Sequence, residues 1–108
     1  MFTAPRLSFK KGVRLHNLQP QAVVAMTIAA FVYALYGKEC VVTSVNDGKH
    51  SRGSLHFVGA AFDLRTRHLE DQEQREVITL KLREALGDQY DVVLESDHIH
   101  VEYQPKGI

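Results

Sequence analysis

At 108 residues the chain is long enough for one hydrophobic core and too short for two, so a single domain over 1–108 is expected. Thirteen basic residues balance thirteen acidic ones, so no global field draws the chain to nucleic acid or to an anionic membrane surface, and neither is expected as a partner. The lone cysteine, Cys40, excludes an internal disulfide and a closed thiolate metal site. In its apolar setting it reads as a core thiol.

Residues 1–14 carry Lys10, Lys11 and Arg14 with no apolar segment behind them, unlike a secretory leader, and read as an extended arm. Pro20 ahead of the run 21–36 and Gly37 behind it mark a helix. The apolar stretch falls short of the ~20 residues needed to cross a bilayer, so a buried central helix is expected. Residues 39–44 read as a first strand, and the polar, glycine-containing stretch 46–53 as a loop. That loop leads into His56, and loops beside a site carry contacts to substrate; Lys49, His50 and Arg52 are the candidates.

Residues 57–65 read as the second strand. Asp63 lies near its end between Phe62 and Leu64, an apolar setting in which a carboxylate is costly unless paired or metal-bound. Residues 65–68 form a turn, and His68, like His16, reads as a surface residue. An amphipathic helix follows over 70–86, with Val77, Leu80, Leu82, Ala85 and Leu86 toward one face and Gly87 as its stop. Residues 90–95 and 98–104 are the third and fourth strands. The short connection at Ser96 and Asp97 favours an antiparallel hairpin. The fold class is therefore α+β: a small, mostly antiparallel sheet with helices packed on it.

Two stretches carry the chemistry: Ser54-Leu55-His56-Phe57-Val58-Gly59-Ala60-Ala61-Phe62-Asp63, and Asp97-His98-Ile99-His100. A hydrolytic zinc takes three ligands of the His/Asp/Glu type and keeps a fourth position for water. His98 and His100 are two apart in a strand and leave the same face. His56 and Asp63 are seven apart, an odd separation, and Gly59 between them supplies the bulge or turn that can bring both to one ion.

The pattern Ser-x-His-x-x-Gly-x-Ala-x-Asp followed by Asp-His-x-His resembles the zinc D-Ala-D-Ala carboxypeptidases. That group includes the L-alanyl-D-glutamate endopeptidases of phage endolysins and shares its fold with the amino-terminal signalling domain of hedgehog proteins. The resemblance implies a hedgehog/DD-peptidase-like fold and one Zn2+ per chain held by His56, Asp63 and His100. It makes Asp97 the general base, sets His98 beside the metal facing substrate or the developing oxyanion, and gives Ser54 a supporting position behind the ligands. Glu95, three residues before His98, is the rival base if the register shifts by two.

The implied activity is a zinc metallopeptidase hydrolysing a peptide bond in peptidoglycan stem peptides, as a carboxypeptidase or an endopeptidase. The alternative is a non-catalytic zinc-binding module of a phage virion or another assembly. The implied location is the cytoplasm until lysis, or the virion. One departure bears on substrate: members that cleave peptidoglycan carry an arginine upstream of the first ligand, and residues 43–52 hold none at that place, leaving Lys49, His50 or Arg52 to substitute.

Overall fold

The structure, a computed structural model, describes residues 4–46 and 60–105. Two helices pack on one face of a five-stranded mixed sheet. The elements run β1 (Leu7–Phe9), α1 (Pro20–Ala34), β2 (Cys40–Asn46), β3 (Ala61–Arg65), α2 (Gln72–Leu86), β4 (Tyr90–Leu94) and β5 (His98–Tyr103). The strand order is β1-β2-β3-β5-β4, parallel only between β1 and β2.

Both helices start and stop on local chemistry. Pro20 opens α1, where its missing N–H costs nothing. Past Ala34, Gly37 takes φ +69° while its N–H bonds Ala34 O at 3.0 Å and the Lys38 N–H bonds Tyr33 O at 3.1 Å. This pair of bonds is a Schellman stop, which needs a left-handed residue. Asp71 caps α2 by accepting from Gln74 N at 2.8 Å, and Gly87 at φ +81° ends it.

The core joins Met26, Ala29 and Tyr33 of α1 and Ile78 and Leu82 of α2 to Val42, Phe62, Leu64, Ile99 and Val101 of the sheet. The Tyr33 hydroxyl donates to Arg65 O at 2.9 Å, so its one polar atom is satisfied inside the core. Cys40 is fully buried, as expected of a core thiol, and burial pushes its pKa up to about 12.

Four expectations are corrected. α1 is not a central helix: Val24, Phe31 and Leu35 are each more than half exposed, because a single helical layer on one sheet can bury only one side of each helix. On α2 the buried stripe is Ile78, Thr79, Leu82 and Leu86, spaced three and four apart, while Leu80 is 54% exposed and Ala85 faces solvent. The basic arm is not merely extended, since residues 7–9 pair in parallel with residues 40–42. His68 is half-buried and stacks on Tyr33 with ring centroids 6.0 Å apart, its Nε2 donating to Glu39 O at 2.7 Å. Among the described residues no helix is long and apolar enough to cross a membrane.

Candidate metal centre

With the helices on one face of the sheet, the other face of β3 and β5 is free to carry polar groups. Along β5, Ile99 and Val101 point into the core, while His98 and His100 alternate out of it. Along β3, Phe62 and Leu64 point in and Asp63 points out. In the antiparallel ladder Asp63 lies opposite His100, and Arg65 opposite His98.

β2 reaches the same face by breaking its own alternation. Val42 pairs with Leu64 in the core, yet Ser44, two residues on, pairs with Asp63, because the register shifts between them. The extra residue of this irregularity turns Ser44 to the open face, where its hydroxyl donates to Asp63 Oδ2 at 2.8 Å.

The other oxygen, Asp63 Oδ1, accepts from His100 Nδ1 at 2.8 Å and lies 3.7 Å from His98 Nε2. Asp63, His98 and His100 each offer one ligand atom, all within 4.8 Å of one another. Ligands about 2.1 Å from a tetrahedral ion stand about 3.4 Å apart; the 2.8 and 3.7 Å separations bracket that value, and the widest pair, within 4.8 Å, would draw together to seat a cation.

Each imidazole turns its remaining nitrogen to a carboxylate. His100 Nε2 donates to Glu102 Oε1 at 2.9 Å, and His98 Nδ1 donates to Asp97 Oδ1 at 2.7 Å. A metal-binding histidine usually donates its far N–H to a carboxylate or carbonyl in this way, which fixes the tautomer and the ring plane. Glu102 is only 4% exposed and also accepts from Gln104 Nε2, so its position is held from two sides.

The protonation pattern fits a cation position. Burial disfavours a charge on His100, but its hydrogen bonds to Glu102 and Asp63 outweigh that and raise its pKa above the usual 6.5. Metal-free, the ring therefore holds both protons more readily. The Nδ1 proton lies between the two atoms a metal would take, and metal binding displaces such a proton. The hydrogen bond from His98 and its charge lower the Asp97 pKa, and the Asp97 side chain remains 85% exposed.

The sequence placed Asp63, His98 and His100 in one candidate site, and the structure brings them together. Asp97 lies beside them on the turn, where its carboxylate accepts from His98 Nδ1. Glu95 is exposed at the other end of that turn and does not join the group. His56, Ser54, Lys49, His50 and Arg52 lie outside the described residues. Sequence reasoning missed Ser44 and Glu102. The period-two rule that groups His98 with His100 extends to Glu102 and could have found it. Nothing in the local sequence announces the irregularity that turns Ser44 outward.

No family model, curated protein or solved structure matches the chain. The chemistry of the site therefore rests on its own geometry.

Proposed function

We propose that the chain is a zinc-dependent peptidase acting on peptidoglycan stem peptides, with the sheet and two helices forming a hedgehog/DD-peptidase-like scaffold. The observation that carries the reading is the convergence of Asp63 Oδ1, His98 Nε2 and His100 Nδ1, with each imidazole backed by a carboxylate. The ordered motif from Ser54 to Asp63 and from Asp97 to His100 supports it from the sequence.

Asp63 and His100 would hold the ion, and a second imidazole would complete the set. The resemblance assigns that position to His56, and His98 stands within the same group of ligand atoms. When bound, zinc supplies a Lewis acid and brings the pKa of its water from 15.7 toward roughly 7.

The chain's own residues handle position and protons. Ser44 holds the Asp63 carboxylate from behind, leaving Oδ1 toward the histidines. Glu102 keeps the His100 ring in the plane that aims Nδ1 at Asp63. Asp97, held ionised by the hydrogen bond from His98, presents a second carboxylate oxygen on a side chain that is 85% exposed. That oxygen receives the proton of the attacking water and returns it to the leaving amine.

The test is elemental analysis of protein purified without chelator or a histidine tag, for the wild type and for His100→Ala, followed by incubation with muropeptides. Near-stoichiometric zinc that is lost in the variant, with cleavage that Asp97→Asn abolishes while zinc is retained, is the expected result. Absence of zinc refutes the metal reading. Zinc without turnover replaces the peptidase with a zinc-stabilised module.

A further inference from the structure

Resting on the peptidase reading of this site, we propose that Lys10, Arg65 and Arg67 form an anion subsite that takes a carboxylate of the peptide substrate beside the candidate ligands. A cleft of about 490 Å3 opens against the centre, within the range of small-ligand sites, about 300–1,000 Å3. Asp63, Asp97, His98, Thr43 and Ser44 line it together with Lys10, Arg65 and Arg67.

The fold explains why three cations from distant parts of the chain meet there. Arg65 follows Asp63 by two residues on β3, so it shares the ligand face, and it sits opposite His98 in the ladder. Arg67 continues that chain direction just past the strand. Lys10 follows β1, tied to the sheet by its backbone N–H bond to Val42 O at 2.8 Å. The parallel edge pairing of the arm thus delivers a lysine to the cleft.

Among the described residues the acidic groups in the cleft are already engaged, and the cationic ones are not. Asp63 accepts from Ser44 and His100, and Asp97 accepts from His98. The side chains of Lys10, Arg65 and Arg67 make no ion pair or hydrogen bond among the described residues, whereas Lys38 and Lys81 are paired with Glu70 and Glu84. In a chain whose charges sum to zero, this is a local excess of positive charge at the mouth of the candidate centre. Guanidinium groups hold carboxylates through paired N–H donors. A carboxylate held there would set the neighbouring peptide bond near Asp63 and His98. The subsite occupies β3 and the basic arm, not the 43–52 stretch in which a substrate-holding cation was expected.

The test uses N-acetyl-D-alanine and N-acetyl-D-alaninamide, which differ only in the carboxylate, with binding measured by calorimetry on the zinc-loaded and the zinc-free protein. The acid should bind about ten-fold or more tightly than the amide, the worth of a charge-assisted hydrogen-bonded pair. Lys10→Gln, Arg65→Gln and Arg67→Gln combined should bring the two within about two-fold, with zinc content unchanged. Equal binding of acid and amide by the wild type, or a preference that survives the triple variant, overturns the subsite. Inorganic phosphate binding more tightly than the acid overturns the carboxylate assignment. The zinc-free arm separates the two failures, since loss of the metal reading shows in elemental analysis while the carboxylate preference is still measured.

Discussion

Replacing Glu102 tests the geometry of the centre without touching a candidate ligand. Its carboxylate fixes His100 through the 2.9 Å bond to Nε2 and is itself almost fully buried. Glu102→Ala frees the ring to rotate and removes a negative charge next to the cation position. Removing one such outer carboxylate costs about 10–100-fold in metal affinity, or about 1.4–2.7 kcal/mol. Glu102→Gln keeps an oxygen that can accept from Nε2 but loses the charge, so it should fall between wild type and Glu102→Ala. Competition with a chromophoric zinc chelator at pH 7.5 reads both affinities. Melting of the zinc-free forms separates a loss of fold, about 1–3 kcal/mol for an unpaired buried donor, from a loss of metal. If both variants bind zinc as the wild type does, the His100 ring is not oriented by Glu102 and the reasoning fails.

Ser44→Ala removes the bond to Asp63 Oδ2 and should cost about 1 kcal/mol of stability, along with a several-fold loss of zinc affinity in the same competition assay; unchanged affinity refutes the role given to Ser44. Leu82→Ala should cost about 2–5 kcal/mol in chemical denaturation and Leu80→Ala less than about 0.5, and the reverse order would overturn the assigned face of α2. Cys40 should be silent to a thiol-specific chromogenic reagent at pH 8 until denaturant is added, given its burial and a pKa pushed up to about 12; rapid native labelling contradicts this. In the zinc-free protein the raised His100 pKa contributes stability fully below the unfolded value near 6.5, and that contribution is lost as pH rises through the higher folded value. Melting temperatures from pH 5.5 to 8.5 should fall accordingly, and Glu102→Gln should flatten the dependence.

The elements that could be read from the sequence are those with chemical punctuation. Pro20 and Gly37 bracket α1, and Gly87 stops α2, because each residue has a backbone property the boundary requires. The hairpin of β4 and β5 followed from two β-rich runs and a short polar link. β1 was not legible as a strand, since three residues in a basic arm show no period and acquire a partner only when β2 is in place. The inward face of α2 was misread because Leu80 was counted as core by type, whereas the spacing of four between Ile78, Leu82 and Leu86 decides it.

The candidate site divides along the same physical line. His98 and His100 follow from alternation within one strand, which is local. Their meeting with Asp63 is a pairing across two strands separated in sequence by a helix and a strand, and only the ladder register fixes it. Cross-strand partners keep their Cβ atoms about 4.5–5.5 Å apart, within the span of two side chains on one ion. A slip of one residue between β3 and β5 would send Asp63 or His100 into the core and Leu64 or Ile99 into water. The apolar residues that build the core therefore also hold Asp63 and His100 in register before any ion arrives, and Arg65 beside His98 is held by the same pairing.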